Sequence, residues 1–295
     1  MHDLKKLGFG GEVAGSLLTQ TRRLLRQFDL RARKGLGQHF LIDGEVLQRI
    51  TAAAELAPAD VIVEVGPGLG ILTRELAQKA ARVIAIELDN KLAAALKQTL
   101  APFNNVTIIN DDVLKLEPAA LVTDYKVVAN LPYYITSPVL RHFLEASAKP
   151  RLMILMVQKE VAEAIVASPG EMSLLSVSVQ FYGEPRIISY VPAQCFYPAP
   201  KVDSAILRIN LYPQPAVAVD KTGFFELVRA GFSAPRKQLA NSLAQGLGIS
   251  KSDALSLLET AGIVPQRRAE TLTLEEWARL FKENKDADHS GTGKD

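Results

Sequence analysis

One segment limits what this chain can fold into more than any other: Val63-Glu64-Val65-Gly66-Pro67-Gly68-Leu69-Gly70. A short β-branched run leads into a turn with glycine at every second position, and a helical stretch follows. Glycine at such a turn accepts positive φ and lets the backbone approach a ligand closely. The spacing is G-x-G-x-G, not the G-x-G-x-x-G of dinucleotide binders, because Ile71 occupies the place of that third glycine. A nucleoside without a pyrophosphate needs the close approach but not the phosphate cradle. A plain tight turn would carry the same glycines, so the assignment depends on what stands at the neighbouring strand ends.

Around this turn the chain alternates short apolar runs with helical stretches. Val61–Val65, Val83–Glu87, Val106–Ile109 and Lys126–Ala129 read as buried strands, and Arg151–Val157 as a fifth. Leu72–Lys79 and Lys91–Leu100 are helix candidates between them. Leu174–Phe181, Arg186–Tyr190 and Ala205–Leu211 show more alternation and are expected as the last strands. The pattern predicts an α/β fold: a Rossmann-like, mostly parallel sheet of about seven strands, covered by helices on both faces. After Tyr212, Pro213 and Pro215 mark a linker, and helical patterns follow at Phe224–Phe232, Leu239–Leu247, Lys251–Ala261 and Leu274–Glu283. Thr273 and Glu276 are spaced as a capping box for the last of these. The expected organisation is a weakly patterned basic arm over residues 1–30, a sheet domain over 31–212, a small all-helical domain over 213–283, and an unordered tail over 284–295.

Two carboxylates sharpen the glycine turn. Glu87 ends the second strand, where a carboxylate can accept from both hydroxyls of a ribose. Asp112 follows the third strand and is placed to accept from an adenine amino group; Asp111, beside it, is the alternative. Either alone would pass for a solvated loop residue. Ligands of open α/β sheets sit at the carboxyl ends of the strands, where both lie.

Asn130-Leu131-Pro132-Tyr133-Tyr134 follows the fourth strand at the same edge. An adenine amino group is a poor nucleophile because its lone pair is delocalised into the ring, and acceptors around its two N–H bonds expose that pair. Asn130 Oδ1 can be one acceptor, and a main-chain carbonyl held by Pro132 another. Tyr133 offers a stacking face to an extruded base. Phe196-Tyr197-Pro198-Ala199-Pro200-Lys201-Val202-Asp203-Ser204 is a proline-braced aromatic loop, and Phe196 could give the second face of a base sandwich. A turn with an aromatic anchor and a loop pinned to the core are the bland alternatives.

Composition narrows the class. The chain has 295 residues, 48% of them hydrophobic and 22% charged, which suits a globular enzyme with a sizeable core. No apolar run reaches membrane-spanning length and no secretory leader is visible, so a cytosolic protein is expected. The lone Cys195 excludes an internal disulfide and paired-cysteine zinc sites. His2, His39, His142 and His289 are scattered, and no metal is expected. The net charge of +2 hides clusters: Arg22, Arg23, Arg26, Arg31, Arg33 and Lys34 face only Asp29 among acids, and Arg229, Arg236, Lys237, Arg267 and Arg268 recur downstream. Such clusters suit a phosphate-facing surface as well as an ordinary solvated one.

These residues together closely resemble the ribosomal RNA small-subunit adenine N6,N6-dimethyltransferases, over roughly Arg31 to Phe281. The resemblance is carried by Gly35-Leu36-Gly37-Gln38-His39-Phe40-Leu41, Glu64–Gly70, Asn130–Tyr133, Phe196–Ser204 and Arg268-Ala269-Glu270-Thr271-Leu272. It implies a class I methyltransferase that uses S-adenosylmethionine, with residues 31–212 as the catalytic domain and 213–283 gripping RNA. By that resemblance Gln38, His39, Leu41, Glu64, Gly66, Gly68, Glu87, Asp112 and Asn130 bind the cofactor, Glu64 near its methionine amino group. The family often has asparagine at the position of His39. Asn130, Leu131, Tyr133 and Phe196 would form the target-adenine pocket. The implied substrate is a pair of adjacent adenosines near the 3′ end of 16S ribosomal RNA, in the small subunit, modified by a monomer without membrane association.

Three rivals share parts of this pattern. The sister group that methylates 23S RNA and confers macrolide resistance has the same catalytic motifs, but the Phe196–Ser204 and Arg268–Leu272 segments favour the small-subunit group. N6-adenine DNA and protein-glutamine methyltransferases usually have a second proline where Leu131 stands. A non-catalytic ribosome-assembly factor would have no use for Glu87, Asp112, Asn130 and Tyr133 together.

Overall fold

The computed structural model describes the backbone of residues 16–32 and 37–291, with side chains to residue 286. The expected loose arm over the first residues, Arg33 and Lys34 of the basic cluster, and Gly35 and Leu36 of the first motif lie outside the described residues, as do 292–295. Contacts divide the chain into two compact units, residues 1–162 with 186–211 and residues 163–185 with 212–295.

The described elements of the first unit begin with α1 (Leu17–Gln27), β1 (Phe40–Leu41), α2 (Gly44–Ala53), β2 (Val61–Val65), α3 (Ile71–Ala77), β3 (Arg82–Ile86), α4 (Asn90–Thr99) and β4 (Val106–Ile109). Next come α5 (Pro118–Leu121), β5 (Lys126–Asn130), α6 (Thr136–Glu145) and β6 (Leu152–Gln158). Helix α7 (Lys159–Ile165) runs across the boundary into the second unit, to which α8 (Leu174–Gln180) belongs, and β7 (Gly183–Val191), β8 (Phe196–Tyr197) and β9 (Ser204–Leu211) follow. Seven strands form one sheet in the order β4-β3-β2-β5-β6-β9-β7. The pairs from β4 through β6 are parallel, and β9 runs antiparallel to β6. This is the expected Rossmann-like sheet. Its central strands are buried on both faces, which is why they read as continuous apolar runs instead of alternating ones. The chain order reverses between β2 and β5, and that reversal opens a crevice at their carboxyl ends. A separate two-stranded ribbon, β1 with β8, pairs Phe40 with Tyr197 and Leu41 with Phe196. Among the described residues no helix is long and apolar enough to cross a membrane.

At the opposite edge of the sheet sits a group that sequence reading did not anticipate. Lys126 opens β5 and is buried; its Nζ lies 2.8 Å from Asp60 Oδ2 and donates to the carbonyls of Ala54 and Glu55. Arg151 also pairs with Asp60. Burial alone would raise the Asp60 carboxyl, yet the Ala57 N–H and Lys126 hold it below its ordinary value.

Three expectations for local structure are corrected. Leu174–Phe181 is a helix, not a strand: Ser173 and Ser176 form a capping box at its start, and that local signal outweighs the Val-Ser alternation. Within the expected arm, Leu17–Gln27 is also a helix, capped by Ser16 and seated by the buried Leu24. Its flanking arginines had masked the apolar stripe. The last helix, α12 (Leu274–Gly291), runs past Asn284 where an unordered tail was expected. Lys285 and Ala287 there are good helix formers, and no apolar period reveals the extension.

The second unit contains α8, α9 (Lys221–Gly231), α10 (Leu239–Leu247), α11 (Lys251–Thr260) and α12. Phe181, Tyr182, Phe224, Phe225 and Phe281 form its aromatic centre. Residues 163–185, expected inside the sheet domain, group with these helices instead, because Phe181 stacks on Phe224 with ring centroids 5.2 Å apart. The capping box at the start of α12 is present: Thr273 Oγ1 accepts from Glu276 N–H, and the Glu276 carboxylate accepts from Thr273 N–H.

Candidate active site

The glycine turn leaves β2 and opens α3 with Gly66, Gly68 and Gly70 all at positive φ. At Gly70 the positive φ strains any other residue, and a Cβ would also stand 2.9 Å from the Leu96 side chain, which would have to shift. The turn is tied to the next strand: Gly66 N–H donates to the Ile86 carbonyl, and Gly68 N–H donates to Glu87 Oε2 at 3.1 Å. Glu87 Oε1 accepts from Asp89 N–H at 2.9 Å. Each carboxylate oxygen therefore holds one backbone donor and keeps a lone pair for another. Burial, opposed by these N–H groups, raises the Glu87 carboxyl above its ordinary value.

Glu64 is 2% exposed, and its Oε2 has no hydrogen-bond partner. Burial pushes its carboxyl up to about 8; the Thr73 hydroxyl opposes this, and the Glu87 carboxylate adds to it. The folded chain thus holds a proton that the unfolded chain releases near the ordinary value. Between those two values the folded state binds more protons, so stability falls as pH rises through that window. Glu64→Gln, which cannot ionise, is expected to flatten this decline. Urea denaturation between about pH 5 and 8 measures it, and a variant with the wild-type slope would remove Glu64 as its source.

Asn130 closes β5. Its Nδ2 donates to the His39 carbonyl at 3.2 Å, which commits the NH2 end of the amide and leaves Oδ1 as the end able to accept. Leu131 N–H donates to the Met156 carbonyl, and the Pro132 carbonyl accepts from Ile135 N–H. The carbonyl of Leu131 therefore joins that of Pro132, which already holds one donor, as a main-chain candidate for a second acceptor. Tyr133 is fixed at both ends: its phenol hydrogen-bonds Ser204 Oγ at 2.8 Å, and its ring stacks on the His39 imidazole, centroids 5.9 Å apart. His39 Nδ1 donates to the Pro198 carbonyl at 2.7 Å, and so links the first motif to the aromatic loop.

The structure brings every proposed residue to one cleft. Gln38, His39, Leu41, Glu64, Gly66, Gly68, Glu87, Asp112, Asn130, Leu131, Tyr133 and Phe196 all line it. Asp111 lines it too; it is exposed and caps Asp112 N–H, whereas Asp112 caps Leu114 N–H. Phe196 is buried in the wall, and the ring stacked on Tyr133 is that of His39. Sequence reasoning did not single out Ser204 as the anchor of Tyr133, or the exposed, cleft-lining Tyr134. A serine at the end of the aromatic motif, just where a buried strand begins, was the available signal for the first. Arg267, grouped by sequence with the phosphate-facing cations, is instead engaged by both Glu276 oxygens and by Thr271.

Residues 29–286 match the family of ribosomal RNA adenine dimethylases. The chain belongs to that family. A ribosomal RNA small subunit methyltransferase A from Dehalococcoides mccartyi is 55% identical over 270 residues, covering 90% of this chain and 92% of its own. A second such protein, from Moorella thermoacetica, is 45% identical and covers 89% and 96%. Among solved structures, a dimethyladenosine transferase from Plasmodium falciparum superposes with a TM-score of 0.71 at 25% identity, over 84% of this chain and 98% of that one. The 23S rRNA methyltransferase ErmE superposes with a TM-score of 0.66 at 30% identity, over 83% and 98%. The overall fold that carries the cleft is therefore shared with both of those proteins.

Proposed function

We propose that this dimethylase transfers methyl groups from S-adenosylmethionine to the exocyclic nitrogens of two adjacent adenosines near the 3′ end of 16S ribosomal RNA, as a cytoplasmic monomer acting on the small subunit. The observation that carries the proposal is the orientation of the Asn130 amide, which leaves an acceptor beside the pinned Tyr133 ring.

The cleft suits the cofactor on its own chemistry. The buried, unpartnered Oε2 of Glu64 is the partner an ammonium group requires. The spare lone pairs of Glu87 suit the ribose hydroxyls, and Asp112 suits the adenine amine, with Asp111 next in line. Gly66 and Gly68 give close approach, while Gln38, His39 and Leu41 lie along the same cleft. When bound, the cofactor supplies a sulfonium methyl, an electrophile that needs no further activation.

The chain's own residues then act by positioning. Asn130 Oδ1 accepts one N–H of the target amine, and the Leu131 or Pro132 carbonyl accepts the other. Tyr133 holds the base by stacking, Phe196 walls the pocket, and the proton of the methylated amine leaves to water. No dedicated base is required. The helical unit, with Arg229, Arg236 and Lys237, is assigned to gripping RNA.

The test is to supply labelled S-adenosylmethionine with separate, unmodified small and large subunits and map the label. Two adjacent adenosines of small-subunit RNA are the expected site. Label on the large subunit would make the protein a macrolide-resistance-type enzyme, and no transfer to either would leave a non-catalytic assembly factor.

A further inference from the structure

Outside the cleft, the first unit carries a groove between α1 and the aromatic loop. It is lined in part by Arg22, Arg26, Arg31, Asp29, Tyr197 and Pro198. The three arginines are exposed, and the single acid leaves the groove net positive. Arg22 and Arg26 are four apart and share a face of the helix. On the other side of α1, Leu24 packs with Phe40, Leu69 and Leu92, so the helix is seated on the glycine turn itself. The Arg22 guanidinium lies over the Tyr197 ring, 5.1 Å from its centroid.

The groove and the cleft share a wall. Phe196 lines the cleft, Tyr197 and Pro198 line the groove, and the Pro198 carbonyl is held by His39 from the cleft side. Side chains alternate along an extended segment, so neighbouring residues serve opposite faces of it. A base drawn into the cleft must leave its neighbour at the rim. A guanidinium stacked on an aromatic ring offers that neighbour a flat, sequence-tolerant platform, and arginines offer its phosphate bidentate donors.

We propose that this groove is an RNA subsite: it seats the nucleotide flanking the target adenosine, with the base on the Arg22–Tyr197 pair and the phosphate on Arg26 and Arg31. The assignment rests on the reading of an RNA adenine as substrate. It departs from a general basic surface in naming an aromatic residue, Tyr197, beside the three cations.

The test uses the full chain and an RNA hairpin with two adjacent adenosines, carrying 2-aminopurine at a flanking position. Tyr197→Leu is expected to weaken binding roughly tenfold and to relieve the fluorescence quenching seen with wild type. Arg26→Gln and Arg31→Gln should each lower the log–log salt slope by about 1, whereas Tyr197→Leu should leave it unchanged. Cofactor affinity by calorimetry serves as the folding control, since Tyr197 lies outside the cleft lining. Wild-type affinity and quenching in Tyr197→Leu would overturn the subsite. So would a loss confined to the arginine variants and equally relieved by polyglutamate, which would mark a general anion face. Quenched hairpin binding by wild type together with no methyl transfer to whole small subunits would keep the subsite and defeat the catalytic reading instead.

Discussion

Asn130→Ala is expected to lower the single-turnover rate of methyl transfer by about 100- to 1,000-fold at saturating cofactor, the usual effect of removing one preorganised polar contact to a reacting group. The reason lies in the amide's two ends. Nδ2 is spent on the His39 carbonyl, so the side chain cannot rotate to present a donor without breaking that bond. Oδ1 is thereby preorganised, and removing it returns the amine's lone pair to the ring. Asn130→Asp is the informative companion. It keeps an acceptor but sets a carboxylate against the His39 carbonyl, so it should lose orientation and recover only part of the rate. Saturating cofactor separates this from any weakening of cofactor binding. A rate within threefold of wild type in Asn130→Ala would end the assignment, since roughly 0.7 kcal/mol is too little for an acceptor acting in the transition state.

Lys126→Met is expected to cost about 3–5 kcal/mol of stability, the usual effect of removing one member of a buried ion pair. That corresponds to a melting temperature lower by roughly 10 °C. The variant leaves the buried Asp60 carboxylate facing Arg151 and the Ala57 N–H alone, and leaves two carbonyls of the segment after α2 without their donor. Thermal and urea denaturation measure it. Because the folded-state value for Asp60 lies below the unfolded one, its contribution is present above the unfolded value and lost as pH falls through the folded one. The variant should therefore show a shallower acid limb as well as a lower plateau. A loss under about 1 kcal/mol would show that the cluster is solvated and weak.

The two predictions differ in how far the sequence foretold them. Asn130 was legible, because N-L-P-Y after an apolar strand states both its residue type and its place at a strand end. Lys126 was not: it entered as the first residue of a strand, with nothing in its neighbours to show that its chain turns inward. The helix at Leu174–Gln180 failed for a related reason. A seven-residue segment holds too few turns for its period to be told from alternation, and the serine box that decides it resembles an ordinary polar loop.

What the sequence determined by itself was local: the β-branched strands, the glycine turn, the box at Thr273 and Glu276, and the kinds of residue standing at the strand ends. Each is specified by neighbours within a few positions, where backbone sterics and side-chain period act. The tertiary structure alone decided which ends meet and which way polar groups point. His39 reaches Pro198 across 159 residues, Asn130 reaches the His39 carbonyl across 91, and Tyr133 reaches Ser204 across 71. A hydrogen bond is directional and acts over about 3 Å, so no periodicity along the chain records it until the sheet has folded and brought its partners together.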